Sequence, residues 1–210
     1  MHLEQGITYD IDYKMDPKPF DVDFDELAEG KDPNWIGWTF PGHPQSLYRA
    51  SSHFRFYFPV NGPPSPNVTC IWLTPSSPNG SITTETLGSV ADTWHRMPEN
   101  NLPNMRWTNA NIISTAHQRS KGLLKDTEIG AWTLSHVYPT LSLSLEIKKL
   151  LPPEGVKWLF IRAEAKKIRN GRMDAETLIL NPDMELIAIT HQIFLVLENI
   201  QNSKAKQGKL

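Results

Sequence analysis

The chain holds a single cysteine, Cys70, so no disulfide can form within it. No apolar run approaches the ~18 residues that read as a membrane-spanning helix, so no span is expected. Net charge is nearly absent as well. Twenty-one Lys and Arg face 23 Asp and Glu, a balance of −2 that offers no strong field to nucleic acid or anionic lipid. There is no Gly-rich phosphate loop, no Cys/His metal spacing and no G-x-S-x-G context around Ser89. Nucleotide cofactors, metals and α/β-hydrolase chemistry are therefore disfavoured, and no cofactor is expected. The opening MHLEQGITYD lacks the charged and apolar regions of a secretory signal, so the expectation is an intracellular protein. On that expectation, the glycosylation-type matches at Asn67 and Asn79 are chance. Gly208-Lys209-Leu210 differs from the peroxisomal S-K-L signal by Gly for Ser, so cytoplasm is expected, with the peroxisome as the alternative.

Aromatic residues are prominent: seven Trp, eight Phe and five Tyr. They indicate a large core, or an apolar pocket. The 210 residues suit one large domain or one domain with extensions.

One stretch has helical period and both end signals. From Thr84 to Met97, Leu87, Val90, Ala91 and Trp94 recur at i, i+3, i+4 and i+7, an apolar helical face. Ser81, Thr83 and Thr84 offer capping hydroxyls, Glu85 places negative charge in the first turn, and Pro98 reads as the stop. Asp92 falls about 140° round from Leu87 at roughly 100° per residue, on the edge of the buried stripe.

The remaining pattern is mostly strand. GITYDIDY alternates as an edge strand, residues 16–33 read as an extended linker with at most one helical turn, and 35–50 as ordered loop. HFRFYFPV and VTCIWL read as short strands. Residues 98–135 have little periodicity and suit a long functional loop, read either as a lid or as a stretch that includes a short strand at IIST and a helical turn at SKGLLK. Thr140 to Lys148 alternates, with Leu141, Leu143, Leu145 and Ile147 on one face and Thr140, Ser142, Ser144 and Glu146 on the other. Strands over Lys157–Ile168, Asp174–Leu180 and Glu185–Leu197 follow, the first two joined by the hairpin signal Asn170-Gly171. The domain reading is an extension over 1–50, the main domain over 51–198 and a flexible tail over 199–210. A helix followed by a long antiparallel meander resembles the element order of a hotdog domain, and that resemblance implies an α+β fold in which a long antiparallel sheet wraps one central helix.

Pro139-Thr140 opening a strand, Asn170-Gly171-Arg172-Met173-Asp174 at a hairpin and the closing Asp183 to Gln192 carry a more specific likeness. Over about residues 80–198 the chain resembles the C-terminal hotdog of the thioesterase-like superfamily, related to type II acyl-CoA thioesterases, in its fungal branch. Members usually fuse two hotdogs, with the acyl-thioester site between the halves. The resemblance implies a water-positioning trio and places it on Asp92, Thr140 and Gln192. Only one helix-plus-meander unit is visible here, so the first hotdog is absent, degenerate or supplied by another chain.

Thioester hydrolysis needs an activated water and stabilisation of a developing oxyanion. A carboxylate can take the water's proton, while a hydroxyl and an amide hold it. Each residue also has a plainer reading. Asp92 suits a solvated helix position, and Thr140 a β-branched residue on a polar strand face. Gln192 shares a face with Leu186, Ala188, Phe194 and Val196, so it is expected to be buried and in need of a hydrogen-bond partner. His95 reads as a surface ion-pair partner of Asp92, His191 points to the opposite strand face, and Cys70 reads as a buried structural thiol.

The expected function is hydrolysis of an acyl thioester carried on coenzyme A or an acyl-carrier protein, by a homodimer. One alternative is a non-hydrolytic step of secondary metabolism, such as cyclisation or dehydration of a polyketide-like intermediate. The other is a non-catalytic binding or partner subunit.

Overall fold

The computed structural model describes residues 15, 16, 18–39, 50–93, 97–101, 108–124 and 136–198. Its strands are β1 (Trp35–Trp38), β2 (Phe54–Pro59), β3 (Val68–Pro75), β4 (His136–Val137), β5 (Thr140–Ile147), β6 (Leu159–Arg169), β7 (Arg172–Leu180), β8 (Leu186–Leu195) and β9 (Leu197–Glu198). Its helices are α1 (Phe24–Glu29), α2 (Leu87–Ala91), α3 (Met97–Asn101) and α4 (Asn109–Ser120). Seven strands form one sheet in the order β1-β2-β3-β6-β7-β8-β5, and β4 and β9 form a two-stranded ladder. Every neighbouring pair is antiparallel. The turn between β6 and β7 has Asn170 at φ 51° and Gly171 at φ 69°, the paired left-handed residues a tight hairpin needs.

The alternation of β2 divides its side chains between two layers. Phe56 and Phe58 join Ile71, Leu73, Leu159 and Ile161 on the inner face, under α2 and α4. Tyr57 joins Trp35, Trp72, Phe160 and Leu180 on the outer face, under α1. Burying each such large side chain contributes about 1.5–3 kcal/mol. A third cluster lies further along the inner face, where Met97 of α3 packs with Ala163, Ala165, Met173, Ala175 and Phe194. The three alanines leave room for the methionine.

The expected long central helix is not present. After a 3₁₀ turn at Thr84–Thr86, α2 runs only to Ala91, with Asp92 as its C-cap at φ −95° and ψ 10°. The reason is local. The Thr93 hydroxyl donates to the Val90 carbonyl at 2.7 Å, satisfying an end group that another helical turn would have used. Pro98 is not a stop either. It lies in the first turn of α3, where its missing N–H has no helical partner to lose. Leu87, Val90 and Ala91 are buried as their spacing predicts. Trp94 and His95 lie outside the described residues, as do the GITYDIDY segment and the 199–210 tail.

The sheet also differs from the expectation. The class is α+β and hotdog-like in setting helices against an antiparallel sheet, with α2, α3 and α4 on the inner face and α1 on the outer. However, among the described residues the sheet is open, with β1 and β5 as its two edges, and several short helices stand where one long helix was expected. The IIST segment expected as strand lies inside α4. Thr108 caps this helix by accepting from Asn111 N at 3.2 Å, and Ile112, Ile113 and Ala116 are buried against the sheet. The stretch expected as loop over 35–50 begins with β1, whose Trp38 is 1% exposed.

Candidate active site

Asp92 projects from the end of α2, beside the edge of the sheet formed by β8 and β5. Its Oδ1 accepts from Thr140 Oγ1 at 2.7 Å and from Gln192 Nε2 at 3.2 Å. The three residues singled out from the sequence thus meet at Asp92 Oδ1, which accepts from both of the others, and they are drawn from one helix end and two strands. The Gln192 carbonyl oxygen in turn accepts from Thr190 Oγ1 at 3.3 Å. Gln192 is 2% exposed and Thr190 fully buried, whereas Asp92 and Thr140 face solvent. The buried end of the network is therefore fixed by core packing, and the carboxylate sits at its open end.

Thr140 reaches Asp92 because β5 is irregular. Leu143 lies opposite Gln192 and Leu145 opposite Thr190, so these leucines share the inner face with them. Strict alternation would then put Leu141 inward and Thr140 outward. The register shifts instead between Thr140 and Ser142, with Thr140 opposite Phe194 and Ser142 opposite Ile193. This extra residue turns Thr140 onto the inner face and leaves Leu141 52% exposed. Re-aiming a side chain is a common use of a β-bulge. The alternation pattern grouped Thr140 with Ser142 and Ser144, and the bulge separates it from them.

Asp92 Oδ2 accepts from no described residue. The carboxylate therefore has one oxygen held by two donors and one available to a solvent molecule or ligand. A carboxylate fixed in this way can orient a water and remove its proton.

Other candidates fall outside this group. His191 is on the outer face, with Nδ1 3.9 Å from Glu176 Oε2. Burial pushes the Cys70 thiol up to about 11, a nearby Arg162 countering only part of the effect, so it stays protonated and poorly nucleophilic at neutral pH. Among the described residues, no cluster of three or more His, Cys, Asp or Glu could hold a metal. No described helix is long and apolar enough to cross a membrane.

Two features of the site were missed in the sequence. Thr190 is one, although it lies two residues before Gln192 and hence on the same strand face, so alternation could have found it. The other is Tyr138, whose hydroxyl donates to Glu99 Oε1 at 2.8 Å. No sequence signal links those two residues, which are 39 positions apart.

Comparison with known proteins places the chain in a family. The description "acyl-CoA thioesterase C-terminal domain" matches residues 22–196. The thioesterase-like protein TwmA of Talaromyces wortmannii is 29% identical over 212 aligned positions, which take in 97% of this chain. The chain spans 59% of the length of that relative. A protein of unknown function with a hot dog fold from Alicyclobacillus acidocaldarius aligns with TM-score 0.48 and 13% identity, over 75% of this chain and 50% of its own. A thioesterase family protein from Silicibacter pomeroyi aligns with TM-score 0.41 and 12% identity, over 74% and 92%. The family match covers most of the chain, including all three residues gathered at Asp92, and the chain belongs to the acyl-CoA thioesterase C-terminal domain family.

Proposed function

We propose that this chain hydrolyses an acyl thioester, carried on coenzyme A or an acyl-carrier protein, with Asp92 as general base. The observation that supports this reading best is the double anchoring of Asp92 Oδ1 by Thr140 and Gln192. In the proposed step, Asp92 Oδ2 takes a proton from a water whose oxygen attacks the thioester carbon. The tetrahedral intermediate collapses with cleavage of the C–S bond. The proton on Asp92 passes to the departing thiolate, giving a carboxylic acid and a free thiol. Thr140 and Gln192 act by holding the carboxylate in one rotamer, so that little reorganisation remains when the water reacts.

The assembly proposed is a homodimer with the site near its interface. β5 is an edge strand, and an edge offers unpaired backbone groups to another chain. Leu141, Ile147 and Leu150 along and just beyond it are exposed, as are Ile193 and Leu197 on its flank. A second copy there would cover these side chains and enclose the open end of the site.

The test is thioester hydrolysis over a panel of acyl-CoAs, wild type against Asp92→Asn. The amide keeps the size and can still hydrogen-bond, but it cannot accept the water's proton. The expected loss is roughly 10²–10⁴-fold in kcat, the usual contribution of a general base. Equal rates would remove Asp92 from the mechanism. Absence of turnover by the wild type across the panel, and with acyl-carrier thioesters, would remove hydrolysis itself.

A further inference from the structure

The strand leading into β5 makes a second contact with the helical layer. Tyr138 and Thr140 are two residues apart and donate to two different carboxylates, Tyr138 to Glu99 at 2.8 Å and Thr140 to Asp92 at 2.7 Å. Glu99 belongs to α3 and is 1% exposed. A carboxylate that deeply buried is held where it is by its partners, because moving it away from them carries a desolvation cost. α3 is itself secured. Asn100 and Asn101 both donate to the Pro66 carbonyl, at 3.3 and 3.4 Å, and Asn100 Oδ1 accepts from Asn109 N at 2.8 Å. Met97, at the start of the same helix, is fully buried among the small residues of β6 and β7. Glu99 is therefore a fixed point on a fixed helix.

Thr140 lacks comparable support from its own strand. The bulge interrupts the β5–β8 ladder between Thr140 and Ser142. On the other side, the chain is tied by the two-residue β4–β9 ladder and by Leu195 N, which donates to the Pro139 carbonyl at 2.9 Å. Pro139 has no N–H to return. A strand so lightly held on an open edge can swing by an ångström. Such a shift would separate Thr140 from Asp92.

We propose that Tyr138 and Glu99 form a positioning pair that holds the segment before the bulge and so sets the Thr140 hydroxyl against Asp92. The pair acts through Thr140 and touches neither substrate nor water. Its kinetic consequence rests on the hydrolytic reading above, but its structural consequence does not.

Tyr138→Phe removes only the hydroxyl, and the ring keeps its packing. Three measurements on the full chain test the proposal. The first is backbone amide exchange at Leu195, whose N–H reports on the segment at Pro139. Exchange should accelerate there while the β6–β7 hairpin amides stay unchanged. The second is steady-state kinetics with the acyl-CoA the wild type turns over. A misplacement of about 1 Å can cost up to roughly 10²-fold, so kcat should fall by about 10-fold or more with KM within about twofold. The third is the same change in the Asp92→Asn background, where little further loss is expected, because the pair acts through the Thr140–Asp92 contact.

Unchanged exchange at Leu195 would overturn the proposal, as would an unchanged kcat in an enzyme that Asp92→Asn inactivates. A Tyr138→Phe loss that multiplies in full with Asp92→Asn would also overturn it. If the wild type hydrolyses no thioester, the exchange measurement alone decides, and a local acceleration still supports the positioning pair.

Discussion

Gln192 joins the buried core to the carboxylate, and its replacement by Leu separates those two roles. The substitution roughly keeps the side-chain volume. It removes the donor to Asp92 Oδ1 and the acceptor for Thr190 Oγ1. Asp92 is exposed, so water can replace the lost donor and little stability is at stake there. Thr190 is fully buried and would keep a hydroxyl with no acceptor on that side. An unsatisfied buried hydroxyl costs about 1–3 kcal/mol, and the 3.3 Å length of this bond points to the lower half of that range. Thr190→Val alone strands the Gln192 carbonyl oxygen and should cost a similar amount. The double variant leaves two apolar groups side by side, which can be nearly neutral. Urea unfolding of the four proteins gives the cycle, with equal m-values as the check that only native-state stability changed. The double variant should be more stable than the sum of the singles predicts, by about 2–4 kcal/mol, the two single costs added together. Hydrolysis should divide differently: Gln192→Leu and the double variant fall together, while Thr190→Val falls less. A double variant costing the full sum of the singles would refute the assigned hydrogen bond. Full activity in Gln192→Leu would refute its role in holding Asp92.

Two further outcomes follow from the same structure. Light scattering at micromolar concentration should give the mass of a dimer, and charged replacements at Leu141 and Ile147 on the exposed edge should shift it toward monomer; a wild-type monomer would exclude the β5 interface. Because burial raises the Cys70 thiol to about 11 from its usual 9, the fold holds the protonated form more tightly than the unfolded chain does, so this contribution is complete below pH 9 and fades as pH rises toward 11. Its full size is about 2–3 kcal/mol, so Cys70→Ala should flatten the stability profile between pH 9 and 11, and thiol reagents should label the wild type only on unfolding.

The strands were largely legible because two of their signals are local. Alternating Phe residues mark β2, and Asn170-Gly171 supplies the left-handed pair that the β6–β7 hairpin needs. The helices were less so. Asn109–Ser120 buries Ile112, Ile113 and Ala116 but is otherwise mostly polar, and a short apolar stripe of that kind is hard to tell from loop. The Thr84–Met97 pattern failed for a different reason. Its apolar spacing is sound as far as Ala91, yet the Thr93 hydroxyl competes for the Val90 carbonyl and ends the helix. Periodicity records which face is buried, and it is blind to a side chain that caps the backbone early.

Thr140 shows where local pattern gives out at the site. In TLSLSLEIK the leucines at 141, 143 and 145 alternate without a break, and nothing in those letters marks an extra residue. The bulge exists because β5 must meet β8 at Leu143 and Leu145 while the chain entering from Pro139 is fixed by Leu195 and by the β4–β9 ladder. Those constraints come from residues more than 45 positions away. One surplus residue is absorbed between them, and it is Leu141 that is pushed outward, onto the edge where a second copy would cover it. The displacement that exposes a leucine is the same one that turns a hydroxyl toward Asp92. A single irregularity thus ties the interface proposed for β5 to the geometry proposed for catalysis, and a substitution that restores regular pairing should disturb both together.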